Sequence, residues 1–312
     1  MARDALVITG PTASGKTALS IEVARRIGAE IISMDSRQVY RGMDIGTAKV
    51  TPEERGEIPH FGLDLVDPDE RYSAGRFARD AHRLIREIRG RGHVPLLVGG
   101  TGFFLRALTD PLFQEPDLPV ERRERLKKYL DSQSDETLMR WLEILDPESA
   151  ATLRAQGGRQ RIARALEVAL LTGRTLPWWQ RHAPPQMMPI HPLVFVLDLP
   201  REQLYQRINA RVHDMIDAGL VDEVRGLLER GYDLGDPGMN ATGYVEMIPY
   251  LRGEYSLDDA IDAIQRATRR YARRQLTWFR HQLPPDAVWL DATRPRHELA
   301  DTIAEMWKKE AF

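Results

Sequence analysis

The chain of 312 residues contains no cysteine. Disulfides, cysteine zinc sites and thiol nucleophiles are therefore excluded. Its eight histidines show neither H-x-H nor H-E-x-x-H spacing, which argues against a histidine metal centre. Mean hydropathy is −0.42, and no apolar run approaches the ~18 residues expected of a membrane-spanning helix. The first residues run straight into a strand pattern, leaving no room for a signal peptide. These absences predict a cytoplasmic enzyme with no membrane partner. Net charge is also near zero, at −2, so any polyanion partner must be met by local charge. Lysine is scarce, six against 38 arginines, and only Lys16 and Lys49 precede residue 127. A compact ammonium point charge is expected to matter at both places.

What is present is led by GPTASGKT, Gly10 to Thr17, a full match to the phosphate-binding loop G-x-x-x-x-G-K-[ST]. It follows an apolar run at 5–9 and precedes a helical pattern at 18–26. In that context the backbone amides of Gly10, Pro11, Thr12, Ala13, Ser14 and Gly15 (proline excepted) ring an anionic phosphate. Lys16 reaches its outer oxygens, and the Thr17 hydroxyl is the expected ligand of Mg²⁺. The loop alone does not specify the phosphate compound or its fate.

Strand patterns at 5–9, 30–34, 94–98, 193–199 and 287–290 alternate with helical ones. This predicts an α/β fold, a P-loop NTPase-like parallel sheet flanked by helices. Residues 111–190 carry no strand pattern. A proline-rich lead-in (111–119), three helical segments (121–133, 136–145 and 158–173) and a proline-rich exit predict a helical insertion domain. The catalytic core is then 1–110 and 191–312. The closing WKKEAF reads as a frayed tail.

Asp35 ends the second strand in MDSRQVYRGMDIGTAK, facing the ligand crevice of an open α/β sheet. It could hold Mg²⁺ through water or act as a general base for an acceptor. In VGGTG the paired glycines allow close approach of a substrate, and Thr101 could present its hydroxyl there. LVFVLD, ending at Asp198, also resembles a Walker B strand, although strand ends favour Asp for turn chemistry alone. On a helix over 263–281, Arg266, Arg269, Arg270, Arg273, Arg274 and Arg280 fall within a sector of about 140°. Ile264, Tyr271, Gln275, Trp278 and Phe279 lie opposite. No acid follows Asp262 in this segment, so the ridge reads as a polyanion surface rather than a salt-bridged face. Arg159, Arg161 and Arg164 form a second basic surface in the insertion, an arrangement suited to folded RNA.

Taken together and in order, GPTASGKT, DSRQVYRGMDIGTAK, PLLVGGT, QRIARALEV, RVHDMIDAGLVDEV, the Gly243–Tyr244 pair and RRQLTWFR resemble the bacterial tRNA dimethylallyltransferase (tRNA isopentenyltransferase) family over essentially the whole chain. The resemblance implies transfer of a dimethylallyl group from dimethylallyl diphosphate to N6 of the adenosine 3′ of the anticodon, in tRNAs reading U-initial codons. It implies that the loop grips the donor's diphosphate, with Arg211 as a further diphosphate ligand. Asp35 is implied as general base and Thr101 as the hydroxyl holding the target base, with Lys16 serving the leaving group. The implied tRNA contacts are Asp35, Ser36, Arg37, Gln38, Thr101, Arg159, Gln160, Arg161, Arg164, Gly243, Tyr244, Arg273, Arg274, Gln275, Thr277, Trp278 and Arg280. The insertion would grasp the anticodon stem-loop of a tRNA bound by a monomer, with Mg²⁺ as cofactor. Two positions depart from the family pattern: Gly157–Gly158 stands where Asn-Asp is usual, and Val245 where Lys or Arg is usual. A small-molecule P-loop kinase, an adenine-nucleotide prenyltransferase and a non-catalytic RNA-binding module are the rival readings. The two basic surfaces count against the first, the long insertion and the RRQLTWFR ridge against the second, and the Lys16, Thr17 and Asp35 grouping against the third.

Overall fold

A computed structural model describes residues 3–110, 113, 120–185 and 187–310. The chain divides into two compact units, Met1–Asp110 with Pro189–Phe312, and Pro111–Met188.

The first unit is built on a six-stranded parallel sheet. Its strands are β1 (Leu6–Thr9), β2 (Ala29–Ser33), β3 (His60–Phe61), β4 (Val94–Val98), β5 (Leu193–Asp198) and β6 (Val288–Asp291), in the order β3-β2-β4-β1-β5-β6. β1 and β2 are buried at every position, as strands covered on both faces must be. The two-residue β3, with no run long enough to read as a pattern, is the strand that hydrophobicity does not announce. Between the strands lie α1 (Lys16–Ile27), α2 (Pro52–Arg55), α3 (Ala74–Gly90) and α4 (Gly102–Thr109). The parallel arrangement brings the carboxyl ends of β1, β2 and β4 to one edge, where ligands bind in open α/β sheets.

Among the described residues the second unit holds five helices, α5 (Val120–Asp131), α6 (Asp135–Leu145), α7 (Pro147–Gln156), α8 (Arg159–Thr172) and α9 (Leu176–His182). Leu130, Leu138, Leu142, Ala165 and Leu166 form its own core. α7 and α9 are additional to the three helices that periodicity indicates. α7 starts on Asp146, whose carboxylate accepts from the Ser149 amide at 3.0 Å, with Pro147 in its first turn. Both α7 and α9 are set by their N-terminal caps rather than by a strong apolar stripe. The proline-rich lead-in lies, Phe113 aside, outside the described residues.

The chain then returns to the first unit with α10 (Arg201–Asp217), α11 (Leu220–Glu229), α12 (Tyr244–Leu251), α13 (Leu257–Gln282) and α14 (Arg296–Glu310). Gly219, at φ 100, separates α10 from α11. The expected frayed tail is a correction. Residues 307–310 continue α14, because Trp307 is buried in the main core and Arg3 hydrogen-bonds Glu310 at 3.1 Å.

Two devices, one buried and one half-buried, hold the segment that follows β2. Lys49 is buried, and its ammonium donates to the Tyr40 carbonyl at 2.8 Å and to Asp44 and Asp64 at 2.5 and 2.6 Å. It is a structural clamp, so the ammonium at this position serves the loop and not a ligand. Glu223 on α11 accepts from the amides of Asp44, Ile45 and Gly46 at 2.8, 2.7 and 3.0 Å, and from the Tyr244 hydroxyl at 2.5 Å. Glu223→Ala therefore leaves four donors without their acceptor and should cost at least about 2 kcal/mol. Urea unfolding checks this, with accelerated hydrogen exchange confined first to residues 40–49. A loss under about 0.5 kcal/mol would refute the clamp.

Candidate active site

The turn from β1 into α1 requires left-handed backbone at Ala13 (φ 63) and Gly15 (φ 93). Gly10 is excluded from carrying a side chain by position as well, since a Cβ there would lie 2.8 Å from the Leu197 carbonyl. The resulting loop leaves the amides of Ala13, Gly15, Lys16 and Thr17 without a protein acceptor among the described residues. Such a nest at a helix N-terminus attracts anionic oxygen. The Lys16 ammonium folds back over it, donating to the carbonyls of Gly10 and Pro11 at 3.0 and 2.7 Å.

Lys16, Thr17 and Asp35 line one pocket, with an apolar wall from Ile31, Val50, Leu63 and Val98. Burial pushes the Lys16 ammonium down to about 7; Asp35 opposes that shift and Arg211 reinforces it. Burial likewise pulls the Arg211 guanidinium down, with Asp35 again opposing. These three side chains thus share one electrostatic environment. Arg207, one turn before Arg211 on α10, is a cation that the motifs do not single out. Its Nη1 lies 4.0 Å from where a Cβ of Gly15 would be. The i, i+4 spacing from Arg211 is the signal in the sequence that marks it.

The lowered Lys16 value sets a pH dependence. A diphosphate binds the ammonium form, so the free enzyme must take up a proton wherever Lys16 is neutral. Diphosphate affinity should be flat below about pH 6 and weaken as pH rises through 7, approaching tenfold per unit. Titration calorimetry with pyrophosphate measures this. Lys16→Arg, whose guanidinium stays charged, supplies the ligand's own titration as baseline. Identical slopes for the two proteins between pH 6.5 and 8.5 would contradict it.

Asp35 Oδ1 accepts from the Arg37 amide at 2.8 Å, which fixes the carboxylate and leaves Oδ2 with no hydrogen bond among the described residues. Beside it, Thr101 Oγ1 accepts from the Ser36 amide at 3.0 Å and donates to Ser36 Oγ at 3.3 Å. Tyr271 of α13 joins this group. Burial, then the charge of Asp35, pushes its phenol up to about 12, with the neighbouring Thr101 opposing the rise. Its periodicity marked Tyr271 only as an inward-facing anchor. Asp35, Ser36, Thr101 and Tyr271 therefore form one polar cluster next to Lys16 and Arg211.

Several other predicted contacts are occupied by the protein itself. Gln275 is buried; its Oε1 accepts from the Thr12 amide and its Nε2 donates to the Gly100 carbonyl, both at 2.9 Å. It braces the phosphate loop against the β4 turn instead of facing solvent. The glycines of VGGTG admit protein, not substrate, and this corrects the sequence reading. A Cβ would meet the Met34 carbonyl at 2.0 Å from Gly99, the Gln275 amide at 2.2 Å from Gly100, and the Trp278 indole at 2.3 Å from Gly102. Tyr244 is fully buried, its ring against Gly46 and its hydroxyl on Glu223, so it supports the 44–46 loop rather than presenting a surface. Gly243, at φ 101, caps α12. Val245 is half-buried in the first turn of α12. Arg37 donates to the Pro237 carbonyl at 3.0 Å, and Gln38 to those of Thr47 and Ala48 at 3.2 and 3.1 Å.

α13 does present its arginines outward. Arg266, Arg270, Arg273, Arg274 and Arg280 are exposed, while Gln275 and Phe279 are buried. Arg269 is the exception, half-buried and bonded to Asn209 Oδ1 at 2.6 Å. Asp198 accepts from the Leu199 amide at 3.0 Å and does not line the pocket of Lys16, as expected of turn chemistry. In the helical unit, Arg159 donates to the carbonyls of Leu130, Asp131 and Gln133 at 3.0, 2.8 and 2.7 Å, and so closes the end of α5. Arg164 pairs with Glu167 at 2.5 Å, while Gln160 and Arg161 are exposed. Gly157 follows α7, and Gly158 begins α8 with no side-chain cap.

This geometry can be set beside known proteins. The IPP transferase family matches residues 38–282, and the isopentenyl transferase family matches residues 3–61. A tRNA dimethylallyltransferase of Geobacter metallireducens is 45% identical over 286 residues, 92% of each chain. One from Heliobacterium modesticaldum is 47% identical over 281 residues, covering 88% of this chain and 86% of its own. Among solved structures, the tRNA isopentenylpyrophosphate transferase of Bacillus halodurans aligns at TM-score 0.71 and 38% identity, over 99% of this chain and 98% of that one. A eukaryotic dimethylallyltransferase acting on tRNA aligns at TM-score 0.81 and 30% identity, over 97% and 76%. With the family pattern spanning residues 38–282 and relatives matching nearly end to end, the chain belongs to the IPP transferase family.

Proposed function

We propose that this protein transfers a dimethylallyl group from dimethylallyl diphosphate to N6 of the adenosine 3′ of the anticodon in tRNA. The observation that carries this reading is the pairing of the phosphate-loop amides and Lys16 with an apolar wall, Ile31, Val50, Leu63 and Val98. A prenyl diphosphate has one anionic end and one hydrocarbon end, and this pocket offers a surface to each.

In the reaction the donor's C1–O bond breaks as the N6–C1 bond forms. Negative charge builds on the departing diphosphate, where amides of residues 13 and 15–17, Lys16, Arg211 and Arg207 can neutralise it. The exocyclic amine is a weak nucleophile because its lone pair is conjugated into the ring. Asp35 Oδ2 is the acceptor for its proton, while Oδ1 remains tied to Arg37. Thr101 and Tyr271 position the base. Both products, diphosphate and the N6-alkylated adenosine, are then closed-shell and charge-balanced, with the proton passing from Asp35 to solvent.

Thr17 and Asp35 give an oxygen-only donor set on the diphosphate pocket, which fits Mg²⁺ with its remaining positions left to phosphate oxygens and water. When bound, Mg²⁺ supplies further neutralisation of the diphosphate charge. Arg270, Arg273, Arg274 and Arg280 on α13, together with Gln160 and Arg161 of the helical unit, are the proposed contacts to the RNA backbone. Trp278, packed on Gly102, stands beside the acceptor cluster. Among the described residues no helix is long and apolar enough to cross a membrane; a monomer acting in the cytoplasm is the setting proposed.

The test is an acceptor competition. Labelled dimethylallyl diphosphate, Mg²⁺, tRNA and AMP are incubated together with the protein. Label is expected in tRNA alone. Label in AMP would favour the nucleotide prenyltransferase reading, and ATP turnover without RNA would favour a kinase.

A further inference from the structure

A second groove of the first unit lies apart from the pocket of Lys16. It has a volume of about 720 Å³ and opens where β5 and β6 end, between the start of α10 and the far flank of α13. That size falls within the ~300–1,000 Å³ of small-ligand sites. Gln275 on α13 turns toward the phosphate loop, whereas Arg273, Thr277 and Arg280 line this groove. We propose that the groove is a second nucleotide-binding site, in which one further residue of the RNA stacks on Trp289 with its phosphate on Arg273 and Arg280. The inference rests on the RNA-acceptor reading above.

Three observations carry it. Trp289 lines the groove and keeps 39% of its surface exposed, although it sits within β6. A large aromatic ring left open in a strand offers a stacking face to any base. Next, Arg273 and Arg280 have no carboxylate, ring or hydrogen-bond partner among the described residues, so their charge is available to a phosphate. The other aromatic wall is already ordered. Tyr205 lies under Arg201 and Arg269, at 5.2 and 5.9 Å from the two guanidinium carbons, and accepts a hydrogen bond from Arg201 at 3.1 Å.

The groove also contains two carboxylates, Asp198 and Asp291, and these decide between ligand types. Neither pairs with Arg273 or Arg280. Asp198 accepts from the Leu199 amide at 3.0 Å, and Asp291 from the amide and hydroxyl of Thr293 at 2.9 and 2.7 Å. Fixed carboxylates at strand ends suit ribose hydroxyls, as they do in dinucleotide sites. Stacking ring, ribose acceptor and phosphate cations together describe a ribonucleotide. An RNA residue fits better than a free nucleotide, because the cationic row continues along α13 through the exposed Arg270 and Arg274 beyond the reach of a single phosphate, while Arg266 pairs with Asp262 at 3.7 Å.

The test uses the full-length protein and an anticodon stem-loop. Trp289→Ala should weaken stem-loop binding about 5- to 150-fold, with Trp289→Phe recovering most of it. Pyrophosphate affinity at the phosphate loop should not change. Arg280→Gln should lower the slope of log K against log salt by about 0.7. Because the chain has no cysteine, Thr277→Cys carries the sole thiol, and its alkylation should be blocked by stem-loop RNA but not by AMP. That arm stands even if Trp289→Ala folds poorly. Protection by AMP and not by RNA would overturn the proposal in favour of a free-nucleotide site. Unaltered stem-loop affinity in Trp289→Ala and Arg280→Gln would overturn it outright. Failure of the RNA-acceptor reading itself looks different: the unmodified protein would then transfer no label to tRNA.

Discussion

Asp35→Ala is expected to lower turnover by at least about a hundredfold, while tRNA affinity stays within about twofold. The size follows from what general-base assistance supplies when the nucleophile is an amine conjugated into a purine. The selectivity follows from geometry. Asp35 Oδ1 serves the loop through the Arg37 amide, and Oδ2 has no hydrogen bond among the described residues and so is the oxygen available to a substrate proton. Asp35→Asn separates these roles, since its amide oxygen can still accept from Arg37 but cannot take a proton. If both variants lose turnover equally, the loss belongs to the proton; if Asp35→Asn retains near-normal rates, the base lies elsewhere. Measuring single-turnover rates alongside stem-loop Kd distinguishes these outcomes.

Lys16→Met should reduce kcat by about 10²–10³, the scale of removing one donor from a site where charge builds in the transition state. Burial lowers the Lys16 ammonium to about 7, with Asp35 opposing and Arg211 reinforcing the shift. An anion arriving in the nest reverses this, and the recovered charge interaction strengthens as the leaving diphosphate accumulates charge. The fall should therefore be in kcat more than in the KM for the donor. Arg207, exposed and more distant, should show the opposite emphasis when replaced by Ala, with donor KM rising and kcat little altered. A Lys16→Met enzyme with normal kcat and only a raised KM would reduce Lys16 to a ground-state anchor.

The sheet and the phosphate loop were legible because both rest on local signals: unbroken apolar runs for covered strands, and fixed residue types for an amide nest. The outward arginines of α13 were legible for the same reason, being a matter of helical angle alone. Tertiary use of polar side chains was not. Gln275 and Tyr244 sit in segments that read as surface contacts, yet one braces Thr12 against Gly100 and the other seals Gly46 under Glu223. Nothing within a few residues of either reveals the partner, which lies 175 residues away for Gly100 and 21 for Glu223. The glycines of VGGTG misled similarly. A missing Cβ reports that something approaches the backbone, and here it is Met34, Gln275 and Trp278 rather than a substrate. Tyr271 belongs to the site through helix packing, so only the three-dimensional arrangement assigns it, whereas the i, i+4 spacing from Arg211 was the one local signal for Arg207.

On the proposed reading the phosphate loop serves a carbon–oxygen cleavage and not nucleotide hydrolysis. One measurement addresses it directly: quantify diphosphate release and the modified nucleoside in the same reaction of protein, dimethylallyl diphosphate, Mg²⁺ and tRNA with no nucleoside triphosphate added. One diphosphate should appear for each adenosine alkylated at N6, identified by mass after digestion of the tRNA. A requirement for ATP, or diphosphate released without N6-alkylated adenosine, would contradict the account.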